Sequence, residues 1–266
     1  MDRADYYKYY QSNIELLNCE IDQVKKATQT IIGKKNWQER MKVDAHQIAK
    51  TEKEIKACTR LFSFLICSWF EARLMKILYE NSSVAFSDEE ITQIRNIKQM
   101  NQKWETAFLM AVCKSCGLSY SDNINYNDLF PAGSLKLQNY QNVCGLFSDI
   151  SEAITIRNRL AHGQWEVQFN SSNTAVKEYS FLTDYDNIQK LDILKQCYNE
   201  IADIISSYVT YKDKRNPNFD NVIQKKLCTI FDKKTKIQKS SFRKYASKLG
   251  QRYENQLNHY SKPKVD

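Results

Sequence analysis

The sequence predicts an all-α protein, and three observations carry that expectation. Its 266 residues include only 6 Gly and 3 Pro, where average usage would give ~19 and ~13, so turns are few and elements long. Apolar residues recur at spacings of three and four through most of the chain, which is the period of a helix face. A hydrophobic share of 42%, with 12% aromatic, is enough for a core and excludes wholesale disorder.

The first helix is expected where Ile14, Leu17, Ile21, Val24, Thr28 and Ile31 form a heptad-like seam that ends near Gly33. It spans under three heptads, so it must pack on the body of the protein or on a second subunit. A second helix runs from about Val43 to Tyr79. It is charged at first, then apolar around most of its circumference from Leu61 to Leu78, which makes that half central to the core. Ser87 followed by Asp88, Glu89 and Glu90 reads as an N-cap with acids in the first turn. It opens a helix whose stripe runs from Ile91 to Val112 and which Gly117 closes. A loop with Pro131-Ala132-Gly133 covers about Leu118–Ser134, and one more helix spans about Leu137–His162 before Gly163.

Trp165–Phe169 and Val176–Leu182 alternate in hydrophobicity around Ser171-Ser172-Asn173, the pattern of a small β-hairpin insertion. Asp184 and Asp186 lead into a helix from about Asn187 to Tyr211, and Asn216-Pro217-Asn218 marks a boundary. Two more helices are expected over Asp220–Phe231 and from Ser240/Ser241 through Leu257. The chain therefore divides into an N-terminal helical extension (1–52), a helical bundle (53–211) and a basic helical C-terminal extension (212–266).

Charge follows this division. The whole chain has 39 Lys+Arg and 31 Asp+Glu, a net of +8. Residues 212–266 hold 15 bases and 5 acids, a net of +10, which leaves the rest with 24 bases and 26 acids. Asymmetry of this kind points to an anionic partner. In the tail, Lys233, Lys234, Lys236, Arg243, Lys244, Lys248 and Arg252 are interleaved with Phe242, Tyr245 and Tyr253. Basic groups hold phosphates and rings stack bases, so the pattern suits RNA; a solvated face covering the bundle is the other reading. The apolar stretch at Leu61–Phe70 is about half the ~20 residues of a membrane span, and Met1–Tyr10 has no apolar leader core. A cytoplasmic protein without a membrane partner is expected.

Most of the eight cysteines sit among apolar helical residues, as small buried hydrophobes do. Cys113-Lys114-Ser115-Cys116 is a lone CxxC without a second pair or a nearby His, so neither a metal nor another cofactor is expected.

The stretch that carries chemistry is Ile156-Arg157-Asn158-Arg159-Leu160-Ala161-His162-Gly163. A guanidinium offers a planar, permanently charged fork to a phosphate. An imidazole exchanges protons near neutral pH, as a ribose 2′-OH or a leaving 5′-oxygen requires. Five residues are ~140° apart around a regular helix, so the pair converges only if the helix ends there, which Gly163 permits. Simple decoration of a helix C-terminus by cations is the bland alternative for Arg159 and His162. Arg159 otherwise reads as surface or as an auxiliary phosphate contact. Glu71 lies on the second helix, where it either points at Arg157 or is solvated. Trp165 is placed to stack a base or to pack in the hairpin.

From about Lys53 to Tyr211, some 60% of the chain, the sequence resembles the HEPN family (higher eukaryotes and prokaryotes nucleotide-binding). The likeness rests on an apolar first helix with Phe70-Glu71-Ala72, a second long helix, Arg157-Asn158-x-x-x-His162 on the third, and a helix after it. The resemblance implies a HEPN-like helical bundle that forms a homodimer with two motifs facing across a cleft. It also implies metal-independent RNA endonuclease activity, as in toxins and phage defence, acting on tRNA, mRNA or phage RNA. An antitoxin or other regulatory partner protein would accompany it. Carried over, Arg157 binds the scissile phosphate, His162 acts as general base or acid, and Asn158 orients the histidine or touches phosphate. Products would be a 2′,3′-cyclic phosphate and a 5′-OH. HEPN toxins paired with nucleotidyltransferases place a Tyr two residues after the His, where this chain has Gln164, so adenylylation at that position is not expected. Some family members only bind, and a non-catalytic RNA-binding or protein-interaction module is the alternative.

Overall fold

A computed structural model describes residues 2–80, 85–121, 124–125, 129–162, 168–169, 175–177, 188–210, 217–239 and 241–260. Among these, nine α-helices dominate: α1 (Arg3–Arg40), α2 (Ala45–Leu78), α3 (Asp88–Asn96), α4 (Met100–Ser115), α5 (Leu135–Cys144), α6 (Ser151–Ala161), α7 (Ile188–Thr210), α8 (Pro217–Lys239) and α9 (Phe242–Tyr260). A two-rung antiparallel pairing, Gln168 with Lys177 and Phe169 with Val176, joins β1 (Gln168–Phe169) to β2 (Val176–Lys177). The rest of the expected hairpin, including Trp165, lies outside the described residues.

α1 and α2 form an antiparallel helical hairpin. Asp2 caps α1 through a reciprocal capping box with Asp5, and Asp44 caps α2 by accepting from the His46 and Gln47 N–H groups. At the open end, Arg3 donates to the Leu78 carbonyl at 2.9 Å, satisfying one of the carbonyls a helix C-terminus leaves unpaired. Tyr6 stacks on Tyr79 with centroids 4.7 Å apart. Ile14, Ile21, Thr28 and Ile32 form the buried seam of α1. The helix does not end at Gly33 but runs 38 residues. Gly33 is instead where α9 crosses: a Cβ there would stand 2.6 Å from the Leu249 carbonyl oxygen and 3.2 Å from Tyr253 Cβ.

α2 is the central element. Phe62, Ile66, Phe70, Leu74 and Leu78 are fully buried, and α7 and α4 close over them with Tyr198, Trp104 and Phe108. Rings interlock through this region: Phe70–Tyr198 centroids are 4.9 Å apart and Trp104–Tyr198 5.1 Å. One contiguous core draws on helices from α1 to α9, and α2 crosses residue 52 without interruption. The divisions expected at 52 and 211 thus do not separate independent cores.

Two expected long helices are broken. The stripe from Ile91 to Val112 belongs to α3 and α4, with Ile97 in an extended conformation at the break; no residue from 95 to 99 is buried, so no core contact holds that turn in register. Gly117 closes α4 as expected, at φ 72°. The Gly117 N–H reaches Lys114 O at 3.1 Å and the Leu118 N–H reaches Cys113 O at 2.9 Å, a Schellman motif. The helix expected over Leu137–His162 is α5, a 3-10 turn at Phe147–Ile150, and α6. The buried Tyr198 hydroxyl sits at this break and donates toward Leu146 O at 3.2 Å and Phe147 O at 3.3 Å. The hydroxyl thereby adds a side-chain donor at the break, where Leu146 O also accepts the Asp149 N–H at 3.2 Å.

Candidate functional site

α6 buries Ala153, Ile156 and Leu160 against the core, one face at spacings of three and four. Cys67 of α2 docks that face, its thiol donating to the Ala153 carbonyl at 3.3 Å. Burial pushes this thiol up to about 12, with the Arg157 charge pulling the other way, so it is a packed thiol rather than a nucleophile. The register places Arg157 at the α2 seam. Its Nη2 donates to Glu71 Oε2 at 3.1 Å and its Nη1 to Asn158 Oδ1 at 3.1 Å. The Arg157 side chain keeps a quarter of its exposure and that of Glu71 keeps half. Arg157 Nε is enclosed and has no acceptor among the described residues. Of the five N–H groups on a guanidinium, two are thus engaged in holding the fork and the others meet no acceptor among the described residues.

α6 ends at Ala161, and His162 is its C-cap at φ −93°, ψ 20°. The His162 N–H is held by Asn158 O at 3.2 Å and Arg159 O at 3.1 Å, while the residue itself is exposed. The helical register is thus regular up to the His162 N–H, and no contact between the Arg157 and His162 side chains is present among the described residues. Arg159 is half-buried on the same turn. A groove of about 590 Å³ begins at Glu71; α1 lines it with Tyr10 and Leu16, and α3 and α4 with Arg95 and Lys103. These two cations, which share the groove with Glu71, carry no signal in the sequence, because α3 and α4 reach it only through the tertiary fold. Among the described residues no three His, Cys, Asp or Glu side chains gather as a metal cluster.

The basic tail splits into two parts. In α8, Lys234 pairs with Asp149 at 2.8 Å, Lys233 with Glu200 at 3.7 Å, and Lys226 with Asp203 at 3.4 Å. Lys233 and Lys234 therefore depart from the RNA-contact expectation: their ammonium groups tie α8 to α7 and to the 3-10 turn. In α9, Arg243, Lys244, Lys248 and Arg252 are exposed, as is Lys236 near the end of α8. The aromatic residues also depart from expectation. Tyr245 accepts from Gln29 at 2.8 Å, Tyr253 packs on Trp37 at 6.0 Å, and Phe242 is half-buried on the core. Their rings fasten α9 to α1 and are not presented for base stacking.

Compared with family models, with curated proteins and with solved structures, the chain matches none.

Proposed function

We propose that the chain is a metal-independent endoribonuclease built on a HEPN-like bundle with a β-hairpin insertion, working as a cytoplasmic homodimer in a toxin or phage-defence role. The observation that carries this reading is the guanidinium of Arg157, held by Glu71 and Asn158 one turn before His162 leaves the helix as an exposed C-cap. A fork fixed in this way binds a scissile phosphate without reorganising and favours the charge that builds on it in the transition state.

In the reaction, His162 of one protomer takes the proton of the ribose 2′-OH and the 2′-oxygen attacks phosphorus. The P–O5′ bond then breaks and the leaving 5′-oxygen takes a proton from the partner subunit's His162. One imidazole cannot be base and acid in the same displacement, so two copies are required. Asn158 holds the second guanidinium nitrogen. Flanking phosphates run toward Arg95 and Lys103, and the exposed face of α9 supplies the longer-range grip.

Incubation of the purified protein with labelled tRNA or total RNA in EDTA tests this. Cleavage leaving cyclic-phosphate and 5′-OH ends, abolished by His162→Ala and by Arg157→Ala with the fold and dimer intact, is the expected result. Full activity in His162→Ala overturns the assignment. RNA that is retarded but uncut identifies a binding module instead.

A further inference from the structure

Three tyrosines stack at the open end of the α1–α2 hairpin. Tyr79, the C-cap of α2, stacks on Tyr6 with centroids 4.7 Å and planes 16° apart, and on Tyr10 at 5.9 Å and 13°. Tyr79 is buried, whereas Tyr10 is half-buried and alone of the three lines the groove that begins at Glu71. The stack therefore meets the groove at Tyr10. At about 590 Å³ the groove is within the ~300–1,000 Å³ of small-ligand clefts.

The groups gathered around this ring suit a nucleotide. Asn13 lies three residues on along the same face of α1. It is exposed, and its amide makes no hydrogen bond among the described residues. Ala72 and Met75 of α2, both buried, give the groove an apolar floor. Burial raises the pKa of the Tyr10 phenol, Arg95 lowers it and Glu71 raises it, so both charges stand close to the ring. Glu71 is answered by Arg157 at 3.1 Å, whereas Arg95 is exposed and makes no ion pair among the described residues. The other carboxylate of the groove, Glu20, lies ten residues from Tyr10, about 15 Å along α1. The Tyr10 end is therefore the one open to an anion.

We propose that the Tyr10 end of the groove is a purine subsite for a nucleotide flanking the scissile phosphate. The base stacks on Tyr10, Asn13 hydrogen-bonds its edge, and Arg95 holds its phosphate. Stacking accepts every base but favours the larger ring system, so the preference is for purine over pyrimidine. An amide both donates and accepts, as a base edge requires, and a guanidinium makes charge-assisted bonds to phosphate. The assignment rests on the RNA-cleavage reading, which defines the flanking nucleotide, but its test is binding and needs no cleavage.

Fluorescence anisotropy of the full chain with labelled 2′-O-methyl tetranucleotides of adenosine and of uridine, which lack the attacking hydroxyl, tests it. Expected is saturable binding of the adenosine oligomer, about fivefold or more tighter than the uridine one. Tyr10→Leu weakens the adenosine oligomer about tenfold and removes the preference, while Tyr10→Phe keeps both. Arg95→Met weakens binding about tenfold and Asn13→Ala several-fold. Both of these positions are exposed, so they decide the matter where Tyr10→Leu does not fold. The proposal is overturned if the adenosine oligomer does not bind, if the two oligomers bind alike, or if a folded Tyr10→Leu protein binds as the parent does. Unchanged binding in both Arg95→Met and Asn13→Ala also overturns it, and AMP competing as tightly as the oligomer overturns RNA as the source of the nucleotide. Tyr10-dependent binding in a protein that leaves RNA uncut keeps the subsite and removes the chemistry, so the two readings fail separately.

Discussion

Replacing Gly33 by alanine sets two known effects against each other at one atom. In a helix interior the exchange alone favours alanine by about 1 kcal/mol. Here the new methyl would stand 2.6 Å from the Leu249 carbonyl oxygen and 3.0 Å from its carbon. The obstacle is backbone of α9, and no side-chain rotation relieves it, so α1 and α9 must part by about half an ångström in a densely packed interior. Overpacking of this kind costs about 1–3 kcal/mol, and the net expectation is a loss of about 1 kcal/mol, or a fall of about 2–4 °C in Tm for a chain of this size. Gly250 on the facing helix is the control, since a methyl there meets first the Asn36 side-chain amide, which rotation can move, leaving only Asn36 Cβ at 3.1 Å to give by a few tenths of an ångström. Gly250→Ala should therefore lie about 1 kcal/mol above Gly33→Ala. Urea unfolding followed by circular dichroism measures both. A Gly33→Ala protein as stable as the parent, or more so, would refute the close crossing of α1 and α9.

Tyr198→Phe removes the hydroxyl donor shared by Leu146 O and Phe147 O, and because Leu146 O keeps the Asp149 N–H the expected cost is that of one buried hydrogen bond, about 0.5–1.5 kcal/mol; an unchanged unfolding midpoint would contradict that role. Glu71→Ala releases one side of the Arg157 fork. RNA cleavage under single-turnover conditions should fall about 10–100-fold, with Glu71→Gln recovering part of it and stability changing by less than about 1 kcal/mol; an undiminished rate in Glu71→Ala argues against positioning by Glu71. Neutralising Arg243, Lys244, Lys248 and Arg252 together should lower the slope of log K against log salt for single-stranded RNA by about 3 at constant Tm. Lys233→Ala with Lys234→Ala should lower Tm and spare the slope, and the reverse pattern would refute the division of the tail.

How much of this was legible in the sequence depended on how far apart the deciding residues lie. Helix content followed from scarce Gly and Pro, and the Ser87 cap and Gly117 stop are local chemistry that the structure repeats in its capping box and Schellman bonds. Gly33 misled because glycine is read locally as a stop, whereas α9, some 216 residues on, decides its use. The break after α5 was invisible for the same reason: the apolar stripe continues through it, and the hydroxyl that stabilises it is 52 residues away. At the candidate site, Arg157, Asn158 and His162 could be picked out as neighbours in sequence. Glu71 was placed on a helix but left between two orientations, since its partner lies 86 residues later. Arg95 and Lys103 were not found at all.

The charge of the tail takes on a different meaning once its partners are known. A body with a net of −2 beside a tail of +10 looks like a search for an external anion. Part of that charge is already answered within the molecule, because Asp149, Glu200 and Asp203 face Lys234, Lys233 and Lys226. Each of these part-exposed pairs contributes only about 0–1 kcal/mol, so their use lies more in fixing the register of α8 on α7 than in raw stability. α9 differs because its apolar face does most of the docking, joined by one ion pair from Arg40 of α1 to Glu254 at 2.9 Å. Phe242, Tyr245, Leu249 and Tyr253 turn toward α1. Lys244, Lys248 and Arg252, four residues apart, are left along the opposite side. A helix that buries its rings and keeps its cations outward cannot read bases by stacking. Any grip it has on RNA is through phosphates, hence salt-sensitive and indifferent to sequence. If the chain cleaves RNA as proposed, selectivity for a cleavage site must then come from the cluster at Arg157 and the groove that begins at Glu71.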